Sequence, residues 1–175
     1  NGIIRTFNKA TGIADGILNV NTDVFFLSIT TPPGAGEVTF TSDPTVIYDR
    51  LTDRWILTMV DVILDGGGNT SQPNRILIAI SDGGIITGST IWTMGSLQNG
   101  GTNFSDYPSV GIDAEAVYIG TNQFDISGGL NDVWRIILDK ADLVAGSLTV
   151  NGIWSLDLGT AGVWSPRGVS NADPS

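Results

Sequence analysis

Hydrophobic residues occur along this chain in short runs, and turn-forming residues separate one run from the next. The runs are rich in β-branched and aromatic residues, which is typical of strands. Strands are predicted over residues 3–7, 24–29, 46–49, 54–61, 75–81, 91–97, 109–113, 116–124, 132–138, 148–150 and 153–158. Residues 139–146 are long enough for one helical turn only. The predicted fold class is therefore all-β.

Two details of the pattern sharpen this prediction. Residues 54–61 are apolar at both alternating sets of positions, so this strand is expected to be buried on both faces. Pro44 is expected at the first position of a strand, where a missing N–H is tolerated. The stretches 9–16, 30–36, 65–73 and 98–103 are expected to be turns and loops because they are rich in Gly, Pro, Asn and Thr.

The pattern repeats with a period of about 65 residues. Pro44, Pro108 and Pro174 are 64 and 66 residues apart, and Asp49 and Asp113 are again 64 apart. The other half of the unit repeats over two periods, since Leu18–Asn21 resembles residues 148–151, and residues 7–10 resemble residues 138–141. Self-similarity at a fixed period indicates stacked supersecondary units.

The repeat divides the chain into one domain of consecutive units. Residues 1–41 are the second half of a unit, 42–105 and 106–172 are complete units, and 173–175 start another. Four short antiparallel strands per unit predict blades of a β-propeller, because blade-on-blade packing buries both faces of a small sheet. About 2.7 units form an incomplete ring. A β-sandwich and a β-solenoid are the alternatives.

Residues 42–140 resemble a class of large secreted bacterial β-propeller proteins. The segment beginning at Asp43 fits the pattern D-P-x-V-x-Y-D-x4-R-W, and the segment beginning at Asp106 fits D-Y-P-x-V-G. The resemblance implies an extracellular or cell-envelope propeller, often within a longer multidomain chain. It brings no catalytic residues with it.

The composition narrows the classes of function. Eighteen acidic and eight basic residues give a net charge of −10, which repels phosphate backbones and makes nucleic acid an unsuitable partner. The chain has no cysteine and no histidine, so disulfides, thiolate metal sites and the commonest general base are excluded. No apolar run approaches the roughly 20 residues that span a bilayer, so membrane insertion is not expected.

Carboxylates are the first candidates for chemistry. Asp49, Asp53, Asp61 and Asp113 are candidates for the paired acids of a glycosidase. However, Asp49 and Asp113 hold the same place in the repeat, just before a turn, which favours a role in capping backbone N–H groups. No catalytic residue is assigned.

Two glycine-rich loops carry the oxygen ligands that Ca²⁺ prefers. The candidate ligands in the first unit are Asp61, Asp65 and Asn69, and those in the second are Asp125, Asn131 and Asp132. Their spacing is not that of an EF-hand, and the same residues are good turn formers. Calcium is the one candidate cofactor.

Aromatic residues are the candidates for ligand stacking. Trp55, Trp92, Trp134 and Trp154 lie within predicted strands, where packing between sheets is their usual role. Tyr107 and Trp164 lie in predicted loops and are the candidate ligand-binding residues.

These observations lead to three hypotheses about function. The first is a non-enzymatic extracellular module for scaffolding, adhesion, or binding of carbohydrate or protein. The second is a glycoside-degrading enzyme with two carboxylates. The third is a subunit of an envelope layer or filament in which neighbouring chains complete one another. The expected partners are further blades of the same chain or neighbouring copies.

Overall fold

The computed structural model describes residues 2–98, 103–157, 165–171 and 173, and within it the chain is all-β with antiparallel sheets. The strands are β1 (Ile3–Phe7), β2 (Ala14–Asn21), β3 (Val38–Asp49), β4 (Arg54–Leu64), β5 (Arg75–Ser81), β6 (Trp92–Gln98), β7 (Asn103–Ile112), β8 (Ala116–Asp125), β9 (Leu130–Asp139) and β10 (Val150–Asp157). Two short helices complete the fold, α1 (Thr22–Phe25) and α2 (Lys140–Val144).

The ten strands form three sheets. Strands β1 and β2 pair as a hairpin, β3 to β6 form the first four-stranded sheet, and β7 to β10 form the second. In both four-stranded sheets each strand pairs with the next one along the chain, which gives two meanders of the same topology. None of these sheets closes on itself within the described ranges.

The repeated prolines mark the same irregularity in both sheets. The register between β3 and β4 shifts between Ser42 and Thr45, and the register between β7 and β8 shifts between Asp106 and Ser109. Asp43 and Tyr107, which precede the two prolines, have φ values of 54° and 52°. The prolines therefore lie at bulges inside long strands, and the expectation that Pro44 begins a strand is wrong.

The predicted strand 24–29 is also wrong. Asn21 caps a short helix, since its side chain accepts a hydrogen bond from the N–H of Asp23. Phe25, Phe26 and Ile29 then face the first sheet at helical spacing, and Phe26 is fully buried. The apolar composition of the run resembles that of a strand, but the cap residue and the spacing of the buried positions favour a helical turn.

Each of the two four-stranded sheets has an upstream face, turned toward the preceding part of the chain, and a downstream face, turned toward the following part. The upstream face of the first sheet carries Leu57, Met59, Leu77 and Ala79 and packs against α1, Ile4 and Ile29. Its downstream face carries Ile56, Val60, Ile76, Ile78 and Ile80 and packs against the upstream face of the second sheet, which presents Val117, Ile119, Ile136 and Leu138. Strand β4 is thus buried on both faces, which confirms the prediction for residues 54–61.

The downstream face of the second sheet is partly covered by residues 165–171, which form no strand. Ser165 precedes Pro166 and has a φ of 47°, like the residues before Pro44 and Pro108. The segment lies directly against the backbone of the sheet, because Gly111 and Gly120 leave room for Val169 and Pro166. The N–H of Asn171 donates to the carbonyl of Ile112.

Candidate interaction surfaces and the joint between the sheets

A buried ion pair connects the two four-stranded sheets across their packed interface, which we call the joint. The Nζ of Lys140, at the start of α2 in the second unit, lies 3.1 Å from the Oδ2 of Asp49, at the end of β3 in the first. The two side chains are 3% and 1% exposed. Lys140 also donates to the carbonyl of Asp113. A buried pair of this kind makes each partner depend strongly on the other.

The Asp49 carboxylate is well satisfied. Burial by itself raises its pKa, but hydrogen bonds from Thr52, Lys140 and the N–H of Leu51 outweigh burial and leave the pKa below its ordinary value. Asp113 holds the same place in the second unit and accepts from the N–H groups of Glu115 and Ala116. These bonds confirm the prediction that Asp49 and Asp113 cap turns.

A second polar contact across the joint comes from Asn74, which is fully buried. Its amide donates to the carbonyl of Ser105 and accepts from the N–H of the same residue, both at 2.7 Å. The side chain therefore acts as a short piece of backbone that pairs with the start of β7. The Oγ1 of Thr45 adds a bond to the carbonyl of Pro108.

Two carboxylates meet where the bulges of the two sheets face each other. The pKa of Asp106 is raised, first by burial and then by the charge of Asp43 and a hydrogen bond with it. The negative charge of Asp43 disfavours the ionised form of its neighbour Asp106. Asp43 and Asp106 line none of the three clefts described for this chain.

All six calcium candidates make hydrogen bonds within the protein. Asp61 is fully buried, and its two oxygens accept from the N–H groups of Thr31 and Arg75, both at 2.5 Å. This carboxylate ties the loop before β3 to the first residue of β5. Both of these partners lie outside the glycine-rich loop with which the sequence grouped Asp61.

Asp65 and Asp125 occupy equivalent loops and have the same role. Asp65 accepts from the N–H groups of Gly67 and Asn69, and Asp125 accepts from those of Ser127 and Gly129. These bonds are the main reason that the pKa of Asp65 is lowered. For Asp125 a hydrogen bond from the Ser127 hydroxyl is the largest cause of a lowered pKa.

The last two candidates lie at the start of β9. The amide of Asn131 donates to Asn103, and Asp132 accepts from the indole N–H of Trp134 and the hydroxyl of Ser155. No group of three acidic side chains able to hold a metal occurs among the described residues. The calcium site stays a prediction.

A cleft of about 630 Å³ opens on the downstream face of the second sheet. Its walls are Tyr118, Arg135, Ile137 and Trp154 on the sheet, and residues 166–169 opposite. Trp154 is 52% exposed, so the expectation that it packs between sheets is wrong. Its strand is at the edge of the sheet, and no further sheet in the described part of the chain covers the indole. The missed signal is Arg135, a charged residue two positions before Ile137 on the same face of the strand.

Tyr107, one of the two predicted ligand-binding aromatics, is not part of the wall of this cleft. Tyr107 is 46% exposed, and the guanidinium of Arg167 lies 5.2 Å from its ring centre in a cation–π contact. Arg167 connects Tyr107 with the cleft, since it also lines the cleft. Trp164 lies outside the described residues.

A second cleft, of about 610 Å³, lies at the other end of the molecule. It separates the β1–β2 hairpin from the upstream face of the first sheet and is lined by Ile4, Leu18, Trp55, Leu57 and Trp92. Apolar side chains of the hairpin and the sheet meet in this cleft, and polar residues of the hairpin, among them Lys9 and Asp15, also line it. Among the described residues, the upstream face of the first sheet and the downstream face of the second are therefore incompletely covered.

Comparison with known proteins gives no family. No protein-family model, curated protein or solved structure matches the chain. Over the part of the chain that the structure describes, no helix has both the length and the hydrophobicity to cross a membrane.

Proposed function

We propose that this protein is a non-enzymatic extracellular scaffold module whose units are blades of the β-propeller type. The observation that carries the proposal is the stacking of two sheets of identical topology, downstream face on upstream face. A four-stranded sheet of this size cannot bury both of its faces alone, so it gains stability by packing against neighbouring sheets. The clefts at the two ends are the surfaces on which the stack continues.

Three positive-φ residues before prolines support this proposal. Asp43, Tyr107 and Ser165 begin corresponding parts of successive units, and Ser165 lies against the second sheet. The residues that follow the first two prolines both bond to the next unit. Thr45 donates to Pro108, and Ser109 accepts from the N–H of Gly168. We infer that a third unit begins at Ser165, earlier than the Asp173 that the sequence repeat indicates.

The acid pair argues against the alternative of a two-carboxylate glycoside-degrading enzyme. Asp43 raises the pKa of Asp106, but neither acid lines a described cleft in which a sugar could lie between them. Incubation with a panel of neutral and acidic polysaccharides is expected to release no reducing ends. Release that disappears in Asp106→Asn would replace the scaffold proposal with the enzyme.

The stacking proposal is tested by extending the chain in register. A polypeptide in which residues 1–164 are followed directly by residues 43–171 joins the repeat at equivalent positions. If the units stack by the same geometry, the longer chain unfolds in one transition at a higher urea concentration, because each added interface stabilises its neighbours. Separate unfolding of the added residues, at or below the urea midpoint of the original chain, would contradict the proposal.

A second candidate function, binding of an acidic carbohydrate, is favoured by the exposed indole of Trp154 beside Arg135 in the downstream cleft. Aromatic rings stack on sugars, and arginine pairs with carboxylates. Affinity electrophoresis in gels containing polyuronate distinguishes it, since Trp154→Ala would then abolish retardation. Unretarded migration of the wild-type protein removes this candidate.

A further inference from the structure

Each residue of the Lys140–Asp49 ion pair has an equivalent elsewhere in the chain. Lys9 corresponds to Lys140 and Asp113 to Asp49, and neither equivalent forms an ion pair among the described residues. Lys9 follows Asn8, whose side chain accepts from the N–H of Thr11 three residues on. Lys140 follows Asp139, whose side chain accepts from the N–H of Asp142, again three residues on. Lys9 therefore holds the place in the first hairpin that Lys140 holds in the second sheet, but Lys9 is exposed and makes no ion pair within the described ranges.

Asp113 is the acidic residue of the second possible ion pair. It corresponds to Asp49, caps the same turn, and accepts a hydrogen bond from the hydroxyl of Tyr118. Its pKa is lowered, with that hydrogen bond as the largest cause. It is therefore charged at neutral pH. Lys140 bonds the backbone carbonyl of Asp113 and its charge also lowers this pKa, but among the described residues no lysine forms an ion pair with the Asp113 carboxylate.

We propose that a second copy of this chain binds head to tail, its β1–β2 hairpin against the downstream face of the second sheet, with Lys9 of one copy paired to Asp113 of the other. The inference rests on the proposed function, because it extends the stacking of the two sheets to a third position. Two observations support it: the contact repeats the packing already present between the two sheets, and Lys9 and Asp113 carry opposite charges. The first copy supplies residues 165–171 at the start of the shared unit, and the second copy supplies the hairpin.

The two clefts complement each other in this arrangement. The cleft of the second sheet is covered by residues 165–171 on β7 and β8 and is open over β9 and β10. The cleft of the first sheet is covered by the hairpin and open beside Val46, on β3. Each end lacks what the other end provides. Trp154 adds a large exposed aromatic side chain, a residue type that often dominates binding energy.

A head-to-tail contact uses two different surfaces, so copies associate into rings or open chains and not only into dimers. Sedimentation velocity over a wide range of protein concentration is expected to show reversible association in the wild-type protein. Lys9→Glu places two acids at the contact, and we expect the association constant to fall by at least about tenfold, equivalent to 1.4 kcal/mol. Arg50→Glu, an exposed change of the same charge, is the matched control and leaves association unchanged.

A charge exchange makes the test specific. Asp113→Lys is expected to associate as weakly as Lys9→Glu. A mixture of the two variants restores association, because each junction then joins opposite charges. Glu115→Lys, two residues from Asp113, controls for net charge. Because Asp113 caps a turn, circular dichroism checks its fold. If Asp113→Lys unfolds, Asp113→Asn, which keeps the cap, replaces it and is expected to weaken association alone.

A wild-type protein that stays monomeric at every concentration would overturn the inference, as would variants and mixtures that associate equally. Neither result touches the stacking proposal, which is measured by the urea midpoint of the extended single chain. Loss of the stabilisation in that chain, with association intact, would instead contradict stacking and leave the contact between copies to another geometry.

Discussion

Ile80 and Ile137 are isoleucines at equivalent positions of two sheets that have the same topology. Ile80 pairs with Ile56 in the first sheet, and Ile137 pairs with Tyr118 in the second. Ile80 is 2% exposed because the second sheet covers it, whereas Ile137 is half-buried in the wall of an open cleft. The difference teaches that burial in this protein is decided by what stacks on a sheet and not by the sheet itself.

The residues around these isoleucines follow the same division. Arg135 takes the place of Ile78, since it pairs with Gly120 as Ile78 pairs with Thr58. A charged residue without a partner tolerates an open cleft and not a closed joint. The downstream face of the second sheet is therefore more polar than that of the first.

The largest expected effect comes from breaking the joint at Lys140. Lys140→Met leaves the carboxylate of Asp49 buried without its cation, which costs about 3–5 kcal/mol. Urea unfolding measures the loss, and Lys9→Met, the equivalent exposed change, is expected to leave the unfolding free energy unchanged. Equal stability of both variants would show that the ion pair does not hold the sheets together.

The same variant has a predicted pH dependence. The pKa of Asp49 is lowered in the folded protein, so its contribution to stability is present above the ordinary pKa of 3.8 and is lost as the pH falls through the folded value. Removing the lysine raises the folded pKa. The difference in unfolding free energy between wild type and Lys140→Met therefore shrinks in acid, and a difference that grows below pH 3.8 would contradict the assignment.

The matched isoleucines give the next effect. Ile80→Ala leaves a cavity in the joint and is expected to cost about 2–5 kcal/mol. Ile137→Ala removes the same atoms from a cleft wall and is expected to cost about 1 kcal/mol. If head-to-tail association buries Ile137, its cost rises with protein concentration. Equal costs for the two substitutions in dilute solution would remove the distinction between the closed and open faces.

Asn74 and Asn131 provide a smaller matched pair. Counted from the ladder pairs, Asn131 in the second unit corresponds to Asn74 in the first, but its amide is exposed. Asn74→Ala leaves the N–H and carbonyl of Ser105 buried without partners and is expected to cost about 1–3 kcal/mol. Asn131→Ala is expected to cost nothing measurable. If added calcium stabilises the wild type but not Asn131→Ala, the calcium prediction is supported instead.

The smallest effect is a gain in stability. The folded pKa of Asp106 is raised, so its contribution to stability is present below 3.8 and is lost as the pH rises through the folded value. Asp106→Asn is therefore expected to be more stable than wild type at pH 7, by up to about 1 kcal/mol after allowance for solvent screening, and equal to it near pH 3. A loss of stability at pH 7 would show that the charged carboxylate of Asp106 makes a stabilising interaction in the folded protein.

Local signals in the sequence led to correct predictions where short-range chemistry decides the structure. Asp49 and Asp113 cap turns as their position before a turn indicates, and residues 54–61 are buried on both faces as their apolar pattern indicates. The same signals failed for residues 24–29, because the apolar composition of a strand also suits a capped helical turn. They failed again for Trp154. Its exposure depends on whether another sheet packs on its face, and none does among the described residues.

The amino-acid sequence by itself determined the all-β class and the places of most turns, because hydrophobic alternation, proline and capping side chains act over a few residues. Only the tertiary structure decided which sheet face is covered, which lysine is buried, and that the two acids Asp43 and Asp106 meet. Those properties depend on residues brought together from different units. Lys9 and Lys140 follow equivalent local motifs, and within the described ranges only Lys140 forms an ion pair with an aspartate.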